Sequence, residues 1–160
     1  MKKIVPCLWF DGQALEAAKF YTSILKKKSK ILSISRYGDT NSHGPKGSVL
    51  AVTFTLLGQE FMALNGGPEY KPTPALSLLI GCDTQKEIDT LWAGLISGGG
   101  KEVQCGWLED RYGYSWQVAP AKILRMITDK NQAAADRVMA EVMKMVKLDL
   151  KTLEKAYKGR

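Results

Sequence analysis

The order of apolar and polar residues along the chain predicts two copies of one plan: a strand, a helix and three strands. In the first copy, apolar or alternating runs predict strands at residues 4–10, 31–37, 49–57 and 60–64. After the first of these strands, residues 14–27 carry apolar side chains at the three- and four-residue spacing of an amphipathic helix. The first half therefore reads strand, helix, strand, strand, strand.

The second half repeats this order. A strand is predicted at residues 75–82, followed by a helix that Asp83 or Thr84 caps and that three consecutive glycines end. A short strand at residues 101–104 comes next. Residues 105–120 then read as a strand, a turn and a strand, which closes the second copy.

These patterns predict an α+β fold in which two βαβββ modules form a cupped mixed β-sheet, followed by a C-terminal helical extension. We expect a single domain over residues 1–120, with modules at residues 1–67 and 75–120, and the extension at residues 121–160. A module of this kind covers one face of its sheet with its helix and leaves the other face open. The concave face of the paired modules is therefore the expected ligand pocket.

The extension is predicted to contain an amphipathic helix at residues 131–147 and a shorter helix at residues 148–157. It carries much of the net charge of +7, because residues 122–160 hold ten Lys and Arg against five Asp and Glu. The basic stretch contains no interleaved aromatic residues and no recognised nucleic-acid module. Solvated helix faces are therefore the favoured interpretation, and nucleic acid is not an expected partner.

Composition places the chain among ordinary globular proteins, with 45% hydrophobic residues. No apolar run approaches the ~18 residues that span a bilayer, so no membrane partner is expected. The apolar stretch near the N-terminus stops at Asp11 without a small-residue cleavage site, which argues against a signal peptide. We therefore expect a cytoplasmic protein.

Three cysteines, Cys7, Cys82 and Cys105, are widely spaced and odd in number. They indicate neither a disulfide framework nor a zinc site. One of them could be a nucleophile, and Cys105 beside Trp107 is the weak catalytic candidate. The alternative is that all three are small hydrophobic residues on strands, because the one histidine, His43, lies in a polar loop.

Several strings of residues carry a family resemblance. Residues 6–12, 63–68, 105–120 and 137–147, together with the aromatic pair at residues 20–21, resemble the vicinal oxygen chelate superfamily, which includes the glyoxalases and bleomycin-resistance proteins. Within it, they are similar to the PhnB-like branch. Many members of that branch carry the label 3-demethylubiquinone-9 3-methyltransferase.

The resemblance implies four positions at which metal-dependent relatives hold a divalent ion, usually with His and Glu. In this chain these positions are Pro6, Met62, Ser77 and Gln117. None of these side chains is a strong ligand for a hard divalent cation, so no metal is expected. No G-x-G-x-x-G nucleotide fingerprint occurs either, so no cofactor is expected and methyl transfer from S-adenosylmethionine is not favoured.

Side chains near the predicted concave face are the candidate ligand-binding residues. They are Leu8, Met62, Asn65, Ser77, Trp107 and Gln117. The polar members could instead satisfy one another or backbone groups, as buried polar atoms must. Strand alternation places Trp116 on the opposite face from Gln117, so Trp116 is predicted to be core. Asp110 is expected in a solvated turn.

Two functions remain open on the sequence. The first is a metal-free protein of the vicinal oxygen chelate type that binds an unidentified small molecule. The alternative is an enzyme, an isomerase, lyase or transferase, that uses the same pocket with Cys105 or Gln117. The family resemblance also implies a homodimer with exchanged or shared modules.

Overall fold

The computed structural model describes residues 3–39 and 44–160. His43 therefore lies outside the described residues, as does part of the polar loop predicted around it. Over the described residues the chain forms eight strands and five helices. They divide into two compact units, Met1–Pro72 and Thr73–Arg160.

The first unit has the predicted βαβββ order. Its elements are β1 (Cys7–Phe10), α1 (Ala14–Leu25), β2 (Lys30–Arg36), β3 (Val49–Leu56) and β4 (Gln59–Asn65). They form one four-stranded sheet in the order β1-β4-β3-β2. β1 runs parallel to β4, and the other neighbours are antiparallel.

The second unit repeats this topology. Its elements are β5 (Ser77–Cys82), α2 (Gln85–Ile96), β6 (Lys101–Glu102), β7 (Trp107–Glu109) and β8 (Ser115–Pro120). Their sheet order, β5-β8-β7-β6, is that of the first unit, and β5 is again parallel to β8. The predicted α+β class and the two βαβββ modules are confirmed, with one mixed sheet in each module.

Two strands are shorter than predicted. β1 begins at Cys7 rather than at residue 4, and Ile4 is 90% exposed. Pro6 has no N–H to donate to a ladder, although its carbonyl oxygen accepts from Met62 N. β6 contains only two residues, and two consecutive left-handed residues, Cys105 (φ 63°) and Gly106 (φ 80°), turn the chain before β7.

Helix α1 covers one face of the first sheet. Tyr21 of α1 stacks on Phe54 of β3, and Phe54 stacks on Phe61 of β4. Strand alternation directs the neighbouring side chains, such as Trp9, Met62 and Leu64, to the opposite face, which we call the open face. These three side chains are only partly buried.

The amide of Asn65 secures the start of α1. Gln13, the N-cap residue, makes no side-chain capping bond. Instead Asn65 Oδ1 accepts from Ala14 N at 2.9 Å, while Asn65 Nδ2 donates to Val49 O at 2.9 Å. The backbone carbonyl of Asn65 also accepts from Tyr37 Oη at 2.7 Å. One buried residue thus joins α1, β3, β4 and the end of β2.

Helix α2 caps itself. Thr84 is its N-cap, and its hydroxyl oxygen accepts from Glu87 N while the Glu87 carboxylate accepts from Thr84 N. This reciprocal pair is a capping box, and it makes Thr84 rather than Asp83 the cap. The two units therefore begin their helices by different means.

The prediction for Asp110 is wrong. This carboxylate is only 2% exposed, and it organises the turn between β7 and β8. Its Oδ1 accepts from the backbone N–H groups of Tyr112 and Tyr114, and its Oδ2 accepts from Trp116 Nε1 at 2.7 Å. The indole of Trp116 is fully buried, as predicted, so its N–H needs an acceptor inside the fold.

The extension forms three helices: α3 (Ile123–Ile127), α4 (Gln132–Val142) and α5 (Leu150–Lys158). The sequence pattern missed α3 and extended α4 to residue 147. Helix α4 ends at Val142, and the carbonyls of Met145 and Val146 beyond it accept from Cys105 N and Gly106 N. The extension therefore packs on the start of β7 and shares a hydrophobic cluster with Ala119 of β8.

No helix in the described part of the chain is long and apolar enough to cross a bilayer.

The buried amide of Asn65 gives a first prediction. Replacing Asn65 with Ala leaves the N–H of Ala14 and the carbonyl of Val49 without their partner, and each loss costs about 1–3 kcal/mol when the group is buried. We expect Asn65→Ala to lower the free energy of unfolding by about 2–4 kcal/mol in urea titrations. Gln132→Ala, which removes an exposed amide, is the control, with an expected effect within about 0.5 kcal/mol. Equal losses in both variants would contradict this role.

Candidate functional site

A pocket of about 420 Å³ lies in the first unit, at the carboxyl ends of β1 and β4. Because these two strands are parallel neighbours, both of them end at the same edge of the sheet. The lining residues are Trp9, Tyr37, Leu50, Leu64, Asn65, Gly66, Glu69 and Tyr70. We call this the first-unit pocket.

Trp9 is held in a fixed position on one wall. Its indole N–H donates to Gly67 O at 2.8 Å. Gly66 packs so closely beneath the ring that an added Cβ would lie 2.1 Å from Trp9 Cζ2. The absence of a side chain at Gly66 therefore lets the indole lie against the backbone.

Two further side chains from the segment after β4 complete this wall. The Tyr70 ring meets the Trp9 ring edge to face, with centroids 5.0 Å apart and planes at 84°. The Glu69 carboxylate folds back over Gly67, where its Oε2 lies 2.7 Å from the position a Cβ would take. Tyr70 is 68% exposed, so the pocket opens to solvent beside an aromatic corner and a carboxylate.

The second unit has a smaller polar group on the open face of its own sheet. Gln117 Nε2 donates to Ser77 Oγ at 2.8 Å. Trp107 pairs with Gln117 across β7 and β8, which places both side chains on the same face. Leu79 also lies there and is exposed. Ser77, Trp107 and Gln117 are thus neighbours, as the alternation of the strands predicts.

One candidate ligand-binding residue, Leu8, needs correction. Leu8 is 1% exposed and lies on the helix face beside Ala63, so its side chain is part of the core and not of the open face. Asn65 lines the first-unit pocket, but its amide is already bonded to Ala14 and Val49. Met62 does lie on the open face of the first sheet.

The four positions that correspond to metal ligands in the relatives do not fit a divalent ion. Pro6 offers no side-chain donor and Met62 only a thioether sulfur. Ser77 and Gln117 are neutral and bonded to each other. A hard cation such as Mg²⁺ or Mn²⁺ prefers carboxylate oxygens, which none of these positions supplies. No group of three His, Cys, Asp or Glu suited to a metal occurs among the described residues.

Two of the three cysteines lie in environments that do not favour a thiolate. Burial, with Glu87 and Asp83 nearby, raises the pKa of Cys82 to about 11, and burial also raises the pKa of Cys7. Cys105 packs against the cluster of the extension, with its sulfur 3.7 Å from Met143 Sδ. No base or cation is paired with the Cys105 thiol in the described part of the chain, so a catalytic role for it gains no support.

Sequence reasoning missed Gly66, Glu69 and Tyr70. The stretch at residues 68–74 contains three prolines and lies between the two predicted modules, and nothing local marks its side chains as parts of a pocket. The available signal was Trp9, which alternates onto the open face beside an Asn-Gly-Gly-Pro turn. A tryptophan next to glycines is a place where a ring can lie on the backbone.

Comparison with known proteins identifies relatives of the βαβββ pair. A sequence model of the family described as 3-demethylubiquinone-9 3-methyltransferase matches residues 2–119. The PhnB protein from Bacillus cereus is 43% identical, over 73% of this chain and 98% of that chain, with a TM-score of 0.65. Protein PA1353 from Pseudomonas aeruginosa is 21% identical, over 75% of this chain and 98% of that one, with a TM-score of 0.61, and shares the fold. No curated protein sequence matches the chain.

The family match ends at residue 119, so α3, α4 and α5 lie beyond it. The predicted resemblance to the PhnB-like branch is confirmed over the two modules.

The contact between Gly66 and Trp9 gives a second prediction. In Gly66→Ala the new methyl group overlaps the indole, so Trp9 must leave its position and the pocket wall is lost. We expect a changed near-ultraviolet circular dichroism signal and a loss of about 1–3 kcal/mol in unfolding free energy. Gly38→Ala is the matched control, because nothing lies within 4 Å of its added Cβ. An unchanged spectrum in Gly66→Ala would contradict the packing.

Proposed function

The chain belongs to the family described as 3-demethylubiquinone-9 3-methyltransferase, and we propose that this PhnB-like, glyoxalase-fold member binds a small organic molecule without a metal ion. The binding site of the proposal is the first-unit pocket. The observation that supports it most strongly is the fixed indole of Trp9 beside an open, aromatic-walled cavity.

The size and chemistry of the pocket support a small ligand. Ligand pockets typically enclose about 300–1,000 Å³ and are lined mainly by apolar and aromatic groups with a few polar ones. At about 420 Å³, with three aromatic and two leucine side chains, this pocket is within that range. Its walls are preformed, because hydrogen bonds fix both Trp9 and Tyr37.

Metal-independent binding is part of the proposal. Support comes from the donor set, since Pro6, Met62, Ser77 and Gln117 offer no carboxylate and no imidazole. A ligand must then be held by ring contacts and by few polar groups, rather than by coordination.

We propose binding rather than methyl transfer as the function. Methyl transfer to a quinone requires a methyl donor and a large acceptor together in one site. The first-unit pocket is at the small end of the range for a single ligand, so it favours one bound molecule over two.

Fragment binding tests this function. In saturation-transfer-difference NMR with EDTA present, we expect the protein to bind members of a library of small aromatic fragments of different charge. Binding should be lost in Trp9→Ala, because the main wall of the pocket is removed. Trp107→Ala is the control and should retain binding, since Trp107 belongs to the other unit.

Two results would contradict the proposal. One is a set of fragments whose binding is unaffected by Trp9→Ala. The other is binding that appears only after a divalent ion is added.

We also propose that the chain forms a homodimer. Large apolar side chains of the second unit, among them Leu76, Leu79 and Val103, are exposed in the single chain, which supports self-association. Multi-angle light scattering should give about twice the chain mass of 17.7 kDa. A mass of one chain at micromolar concentration would end this proposal.

A further inference from the structure

We propose that the ligand of the first-unit pocket is an organic cation, specifically one with an alkylated ammonium group held between Trp9, Tyr70 and Glu69. The inference rests on the proposed binding function and adds the chemical class of the ligand. It depends on three observations: the two rings that form the aromatic corner, the negative charge of Glu69 and the nearby backbone carbonyls that already accept hydrogen bonds.

The aromatic corner offers ring surface to a cation. Trp9 and Tyr70 meet at 84°, so a ligand in the pocket contacts two rings in different planes. The face of an aromatic ring carries negative electrostatic potential and attracts cations, with Trp the strongest among side chains. Tyr70 is largely exposed, so the corner is accessible from solvent.

The charge of the pocket has the sign that a cation requires. The chain has a net charge of +7, yet among the described residues that line this pocket only Glu69 carries a charged side chain. No described residue forms an ion pair with the Glu69 carboxylate. A carboxylate beside two rings favours a positive ligand and disfavours an anionic one such as a phosphate or carboxylate.

The acceptors near the corner favour an ammonium group that donates no hydrogen bonds. The carbonyl of Gly67 already accepts from Trp9 Nε1, and the carbonyl of Asn65 already accepts from Tyr37 Oη. A primary ammonium carries three diverging N–H donors that need partners when it leaves water, and the Glu69 carboxylate cannot accept from all three at once. A trimethylammonium group has no such need and is bound by ring contacts and by the Glu69 charge.

Matched probes test the class. Choline and 3,3-dimethylbutan-1-ol have the same shape, and only choline carries a charge because nitrogen replaces the quaternary carbon. By isothermal titration calorimetry at low salt we expect choline to bind the wild-type chain about tenfold more tightly than the alcohol. The modest ratio reflects the solvent exposure of Glu69 and Tyr70.

Single-residue variants test whether Glu69 and Tyr70 cause the preference for choline over the uncharged alcohol. Glu69→Gln keeps the shape of the side chain and removes its charge, so choline should lose most of its advantage while the alcohol is unaffected. Tyr70→Ala should weaken choline by several-fold. Glu16→Gln, an exposed carboxylate on α1 away from the pocket lining, is the charge-matched control and should change neither.

The outcomes distinguish a failure of the proposed ligand class from a failure of the proposed binding function. If the alcohol or benzoate binds as tightly as choline and Glu69→Gln has no effect, the cation class is wrong while small-molecule binding stands. If Trp9-dependent fragment binding is also absent, the proposed function fails with it. If choline binds but Trp9→Ala and Tyr70→Ala leave its affinity unchanged, the site is misassigned and the inference is overturned.

Discussion

The fold of the first unit depends on one buried amide. The side chain of Asn65 replaces the missing N-cap side chain of α1 and binds the start of β3. Its backbone carbonyl also accepts a hydrogen bond from the hydroxyl of Tyr37. Since its neighbours in sequence, Leu64 and Gly66, line the pocket, the same residue sets the position of the pocket floor. An amide is suited to this place because its oxygen accepts from Ala14 N while its nitrogen donates to Val49 O, whereas an ionised carboxylate can only accept.

The second unit contains a different buried polar residue that joins several groups. A buried carboxylate, Asp110, collects the turn amides and the Trp116 indole and so fixes the hairpin of β7 and β8. The helical extension then packs at the start of β7, where Gly106 has room for Leu148 only because it lacks a side chain. The two modules share a topology, but their open faces differ: an aromatic pocket in one, a Ser77–Gln117 pair in the other.

Much of the fold follows from the sequence, because period-two strands, an amphipathic helix and a capping box are local signals. The βαβββ order, the core position of Trp116 and a cap at Asp83 or Thr84 were all predictable in this way. The pocket was not, since it depends on contacts between residues about 60 apart, such as Trp9 with Gly67 and Tyr70. Leu8 lies in the core because its side chain points to the helix face beside Ala63, and Asp110 is buried because the indole of Trp116, which lies outside the turn pattern, needs its carboxylate as an acceptor.

We propose that a small molecule binds at Trp9 through ring and charge contacts and not through a metal. The most direct measurement is a proton–nitrogen NMR spectrum of protein labelled at its four tryptophan indoles and assigned with Trp→Phe variants. On adding tetramethylammonium in the presence of EDTA, we expect the Trp9 indole signal to shift while those of Trp92, Trp107 and Trp116 stay in place. A shift of Trp107 alone, or a Trp9 shift that requires added Mn²⁺, would contradict it.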